Sequence, residues 1–268
     1  MQVTNGCTPF SVSILYLMEQ KTIRVKIVSL GNLYFELNRE NITKWKSALF
    51  EVEQKIDYYS LNDSPDTPDW GFSDKNLKKI IANLNNVDTS SDADITFYVL
   101  DAPIEDNYLV RNMGHNRIIV SYYQVKELLH LAKLPIKNYL LVIIYSYALL
   151  LMTKKQGDWV TDEDEEPFLH YDSTGCIYDF CANRADIIRL CESPHLCDNA
   201  EQTLKKLGVD RTVINRARKE LKGIRRDWFN GVVLFVKTNK AISILLGILG
   251  TIVLNVISGI ISNYLINP

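Results

Sequence analysis

Apolar positions come in short runs through most of the chain and in one long run at its end. "ADITFYVLDAPI" predicts a strand closed by a turn at Pro103, and "HNRIIVSYYQV" predicts another. "KTIRVKIVSLGNLYFELN" reads as two strands around Gly31 and Asn32. "ENITKWKSALFEVEQKIDYY" has helical spacing, with Trp45, Ala48, Leu49, Val52 and Ile56 on one face. "SLNDSPDTPDWGFSD" is a loop, "DKNLKKIIANLNNV" a short helix, and "KELLHLAK" a helix broken by Pro135. From Asn138 to Met152 the residues are almost all apolar or aromatic, too short a run for a membrane span and the expected length of a buried core helix. The acidic run Asp162, Glu163, Asp164, Glu165 and Glu166 lacks the ligand spacing and turning glycine of a calcium loop, so it predicts a solvated loop.

The final run differs in kind. No residue from Ala241 to Pro268 is charged, and a span needs about 20 apolar residues. Arg218, Lys219, Lys222, Arg225 and Arg226 precede it, which predicts a cytoplasmic domain, a single pass through the inner membrane and contact with anionic headgroups. Trp228, Phe229 and Phe235 suit the interface. At about 100° per residue, Ser243, Gly247, Gly250, Thr251, Asn255, Ser258, Gly259 and Ser262 fall on one half of the helix. Small residues allow close helix approach, so this face predicts self-association. The expected organisation is a cytoplasmic domain over 1–205, a basic helical stalk over 206–240 and a transmembrane helix over 241–266.

Composition adds limits. Of 268 residues, 47% are hydrophobic and 23% charged, as expected of a folded protein. The formal net charge of −2 gives no reason to expect a nucleic-acid partner. The opening segment has an apolar run but no preceding Lys or Arg and no small-residue cleavage site, so it reads as a strand or lead-in rather than a secretory signal. Reduced thiols are therefore expected.

Four of the five cysteines lie in "GCIYDFCANRADIIRLCESPHLCDNA". Cys176 and Cys181 are separated by four residues, and Cys197 follows after fifteen more. Three residues beyond Cys197, where a C-x-x-C knuckle would end, stands Ala200. Structural zinc wants four thiolate or imidazole ligands. Cys176, Cys181 and Cys197 supply three; the fourth is left to His195, Cys191 or His170, with His195 the first choice. The competing reading is a set of buried free thiols that pack as small apolar groups. His115 reads as a turn residue and His130 as a helix-surface residue. No phosphate loop, dinucleotide fingerprint, nucleophile elbow or HExxH is present.

"CIYDFC" followed by Cys197 resembles the structural-zinc half of archaemetzincin-like zincins, without its last cysteine. The order of strands "ITFYVLDAPI" and "IIVSYY" before a long helix is similar too, and the resemblance covers about residues 90–205. It implies an α+β fold with a zincin-like mixed sheet and helices. It would also imply a catalytic zinc, but "EEPFLHYDSTGC" has no second histidine in register and the long helix offers no ligand. The expectation is a zincin-like scaffold without peptidase chemistry. "GCIYDFCANRADI" also resembles segments of bacterial proteins encoded near phage-defence genes. Together these readings predict a non-enzymatic membrane effector or sensor, with structural zinc, a cytoplasmic protein partner, homo-oligomeric spans and a role in antiviral defence. A tail-anchored zinc metallopeptidase and an anchored recruitment scaffold are the alternatives.

Overall fold

The computed structural model describes residues 22–62, 64–67, 71–85, 92–171, 174–181, 183–225, 248 and 251–258. Its frame is a mixed sheet of six strands: β1 (Ile23–Leu30), β2 (Phe50–Val52), β3 (Asp57–Tyr59), β4 (Ile95–Leu100), β5 (Val110–Asn112) and β6 (Arg117–Ser121). The order across the sheet is β2-β1-β4-β6-β5. β1, β4 and β6 are parallel neighbours, and β5 runs antiparallel at the edge through the turn at Gly114 to Asn116. β2 pairs with the first half of β1 and β3 with the second, so the two pieces share one edge.

Helices cover both faces. Along β4, Ile95, Phe97 and Val99 enter one hydrophobic cluster while Tyr98 and Leu100 enter the other. Along β6, Ile118 and Val120 alternate with Ile119 in the same way. Strands buried on both sides read as unbroken apolar runs, which is why these segments stood out in the sequence. The smaller cluster is closed by α2 (Asp74–Asn85), through Leu77, Ile80 and Ile81. The larger one holds α1 (Leu33–Arg39), α3 (Val125–Ala132) and α4 (Lys137–Leu151).

α4 is the centre of that larger core. Every residue from Asn138 to Leu150 is buried, as expected of a helix apolar all round. Asn138 donates from Nδ2 to the carbonyls of Cys191 (3.0 Å) and Arg225 (3.1 Å). The buried core helix predicted for this stretch is therefore present, and α3 meets it at a sharp bend of 118°.

Three local expectations need correction. Residues 33–39 form a helix, not a second strand, with Leu33 and Leu37 buried one turn apart. Residues 40–59 are not one helix. Asn41 is left-handed (φ 54), a 3-10 turn covers Ile42–Lys44, and β2 and β3 follow. Phe50 and Val52 bury by strand alternation, because pairing with β1 decides the local structure. The acidic run forms a short helix, α5 (Asp162–Glu165), nucleated by a capping box between Thr161 and Asp164.

The expected boundary of the stalk also moves. α6 (Asp186–Glu192), α7 (Asp198–Lys206) and α8 (Arg211–Leu221) all pack on the main core. Val213, Ile214, Ala217, Leu221 and Ile224 are buried in it, so the chain through Ile224 belongs to the folded domain. Among the described residues, no single helix is long and apolar enough to cross a membrane. Residues 251–258 are helical, and Ile252, Val253, Leu254, Val256 and Ile257 on them are exposed. Thr251, Asn255 and Ser258 of the predicted small-residue face lie there; Ser243, Gly247, Gly250, Gly259 and Ser262 lie outside the described residues, as do Trp228, Phe229 and Phe235.

Candidate metal centre

Three segments converge at one edge of the main core. The first ends the 3-10 turn Glu166–Phe168, whose Phe168 is buried against Tyr178. The second is the turn that begins at Gly175 (φ +93), where an added Cβ would sit 3.4 Å from both His195 and the Ser193 carbonyl. The third is the start of α7, with Cys197 as its N-cap. Backbone bonds tie them together. The Phe180 amide donates to the His170 carbonyl (3.1 Å), and Ile177 donates to His195 while His195 donates to Gly175 (both 3.0 Å).

This folding brings one imidazole and two thiols together. His170, Cys176 and Cys197 each offer a ligand atom, and the three atoms lie within 4.8 Å of one another. His170 Nε2 is 3.5 Å from Cys197 Sγ. Two ligands on one tetrahedral zinc stand about 3.5–3.8 Å apart, from bond lengths of about 2.0 Å to nitrogen and 2.3 Å to sulfur. His170 Nδ1 lies 2.6 Å from the Phe168 carbonyl, which can only accept, so Nδ1 carries the hydrogen. Nε2 is then the free lone pair turned toward Cys197, the tautomer a metal requires.

The two thiols sit in different surroundings. Cys197 is half-buried, and its sulfur accepts the amide of Ala200 (3.4 Å) at the positive end of α7. Cys176 is buried, and burial pushes its thiol up to about 12, so it stays protonated at neutral pH unless a cation displaces the proton. The group is able to hold a metal ion, and its donors are the soft and borderline ligands that suit zinc.

The remaining sequence candidates fall elsewhere. Cys181 is left-handed (φ 50) and buried, with its amide capped by Asp179 (3.0 Å); it is not in the group. Burial pushes its thiol up to about 12 as well. Cys191 is wholly buried in the main core. His195 contributes backbone pairing to Cys176, but its ring is exposed and outside the group. The histidine that the fold brings beside the two thiols is thus His170, while the His195 ring lies outside the group. Ala200 holds the expected fourth ligand position but contributes its backbone amide instead of a side chain.

Of the basic residues expected to meet lipid, Arg218 is already engaged. It pairs with Glu201 (2.5 Å) and Asp198 (3.5 Å) on α7. Lys219, Lys222 and Arg225 are exposed, and Arg226 lies outside the described residues. His115 sits in its predicted turn, stacked with Trp159, and His130 on α3 lies 3.5 Å from Glu36. Comparison with protein-family models, curated proteins and solved structures returns no match.

Proposed function

We propose that this protein is a membrane-anchored, non-enzymatic effector or sensor whose folded domain is clipped by one structural zinc ion. The observation that carries the zinc reading is the convergence of His170, Cys176 and Cys197 within 4.8 Å. The ion would tie the turn at Gly175 and the segment ending at His170 to the start of α7. Support for the lack of peptidase chemistry comes from α4. It follows the sheet where the zincin resemblance would place the catalytic helix, and it is buried and offers no metal ligand. The degenerate zincin-like reading rests on that order of mixed sheet and long helix.

The anchoring reading rests on the uncharged run from Ala241 to Pro268, the basic residues before it and the exposed apolar side chains of residues 251–258. In this reading the domain binds a cytoplasmic partner and the spans self-associate in the inner membrane, a plan suited to antiviral defence by membrane disruption. The test has two parts. The full chain purified in detergent should carry about one zinc per chain, and induced expression should depolarise cells only while residues 241–266 are present. Metal-free protein would remove the clip, and depolarisation by a chain ending at Asn239 would remove the span's role.

A second reading has one observation in its favour. Three protein ligands leave a fourth position, and catalytic zinc sites keep such a position for water. Zinc-dependent peptide cleavage by the purified chain would select this anchored metallopeptidase over the structural clip.

A further inference from the structure

Cys176 and Cys197 are free thiols whose sulfurs lie within 4.8 Å of each other. Hydrogen bonding already links them: the Cys176 sulfur contacts the Cys197 side chain and receives the backbone amides of Cys197 and Tyr178. The pairing is selective. Cys181 lies outside the group, and Cys191 is wholly buried in the main core. A disulfide needs its sulfurs about 2.05 Å apart, so a side chain must turn to close the gap. Cys197 is the N-cap of α7 with extended backbone (φ −72, ψ 166). No helical turn precedes it, so its side chain is not held to the rotamers a helix interior allows.

The two sulfurs also differ in access and in neighbours. Cys197 is half-buried and Cys176 fully buried, so a small oxidant arriving from solvent meets Cys197 first. His170 Nε2 stands 3.5 Å from the Cys197 sulfur, and the Phe168 carbonyl holds Nδ1 at 2.6 Å. Thiol, imidazole and a group that orients the imidazole are the parts of an activated sulfur nucleophile. A second thiol beside the first is what turns a sulfenic acid into a disulfide.

We infer that Cys197 and Cys176 are a peroxide-oxidised thiol pair, with Cys197 reacting first and Cys176 closing the disulfide. Cys197 Sγ attacks one oxygen of hydrogen peroxide. An S–O bond forms, the O–O bond breaks, and the thiol proton passes through His170 to the departing hydroxide, which leaves as water. Cys176 Sγ then attacks the Cys197 sulfur. The S–S bond forms, the S–O bond breaks, and the Cys176 proton leaves with the hydroxyl as a second water. Two thiols thus give two electrons to one peroxide. The pair shares its residues with the zinc reading, and the coupling to metal rests on that reading: oxidation removes both thiolate ligands, so the ion departs. Solvent then supplies the two protons. A disulfide still ties the Gly175 turn to the start of α7 but leaves out His170, so the segment ending there is released. The domain thereby gains a chemical input.

The test uses the full chain in detergent, reduced and with its zinc content measured first. One sample is stripped with a chelator and one is left as purified; both receive hydrogen peroxide. Remaining thiols are then alkylated and the peptides mapped by mass spectrometry. The stripped chain should gain a Cys176–Cys197 disulfide that dithiothreitol reverses, with Cys181 and Cys191 still reduced. Zinc-loaded chain should release about one ion for each disulfide formed, read with a colorimetric chelator. Cys176→Ser should stop at a sulfenic acid on Cys197 that dimedone captures, and Cys197→Ser should give neither product. Wild-type mapping needs no variant, so a misfolded Cys176→Ser leaves the result standing. A chain purified without metal would remove the zinc reading alone, since the stripped sample still decides the pair. Cys176 and Cys197 both reduced after millimolar peroxide would overturn the proposal. So would a disulfide from Cys197 to any other cysteine, or oxidation of Cys181 or Cys191 ahead of Cys197.

Discussion

Tyr145 on α4 donates a 2.7 Å hydrogen bond to Glu220 on α8, joining two helices that lie 75 residues apart in the chain. The same carboxylate accepts from the Ser47 hydroxyl (2.7 Å) and the Ala48 amide (2.9 Å), and the Trp45 indole donates to Tyr145 (3.0 Å). One side chain from the basic helix α8 thus satisfies donors from two other segments. Replacing it strands those donors in a half-buried setting. Glu220→Ala should cost about 2–4 kcal/mol, measured by urea unfolding, because it removes a charged acceptor shared by three donors. Limited proteolysis of that variant should cut first around α8. Tyr145→Phe, which removes only one of the donors, should cost about 1 kcal/mol.

The zinc reading separates histidines and cysteines that the sequence alone treats alike. His170→Ala, Cys176→Ser and Cys197→Ser should each reduce bound zinc toward zero, read by metal analysis of the purified chain. His195→Ala should keep its metal, since its ring lies outside the group. Cys181→Ser should also keep it, yet lose about 1–3 kcal/mol by placing a hydroxyl in an apolar site. Chelation of wild type should lower its melting temperature, and should leave that of Cys197→Ser where it is.

These contrasts mark how far the sequence could be read. β4, β6 and α4 were legible because unbroken apolar runs admit few arrangements once bounded by turns. "LYFELNR" and "FEVEQKIDYY" were not, since each carries apolar residues at both strand and helix spacing; pairing with β1 decides the second, and the first buries Leu33 and Leu37 as a helix. The same holds at the site. The spacing of Cys176, Cys181 and Cys197 pointed to a candidate metal group, of which the fold brings Cys176 and Cys197 together and leaves Cys181 aside; choosing His170 over His195 depends on the Gly175 turn, where His195 takes part through its backbone. The bonding of Phe180 to His170 across ten residues leaves no periodic signature in the sequence. α8 reads as a basic stalk because its charges outnumber the four apolar positions that bury it.

Removing the uncharged C-terminal run should separate anchoring from folding. A chain ending at Asn239 retains every described residue of the main core, the last of which is Ile224, so it should keep the melting temperature and zinc content of the full chain. It should move from the membrane fraction to the supernatant. Leu at Gly247, Gly250 and Gly259 together should leave the full chain in the membrane and lower its self-association, measured by cross-linking. Unchanged cross-linking would remove the close-packed span from the proposal.

Glu165 predicts a pH dependence opposite to that of most carboxylates. It lies half-buried on α5 and accepts from Tyr147 (2.7 Å). Burial raises its pKa from 4.5 to about 7, and the charges of Asp162 and Asp164 push the same way. Between those two values the native chain holds a proton that the unfolded chain has released. Stability should therefore fall as pH rises through this window, by roughly 1.4 kcal/mol for each pH unit, and level off above it. The lowered carboxyls of Asp66, Asp164, Glu201 and Asp210 act in the opposite sense, but only as pH falls below about 4. Glu165→Gln keeps an acceptor for Tyr147 and cannot ionise. Its urea midpoint should be nearly flat from pH 5 to pH 7 and higher than wild type at pH 8. Parallel slopes for the two proteins across that range would show that Glu165 ionises as freely in the folded chain as in the unfolded one.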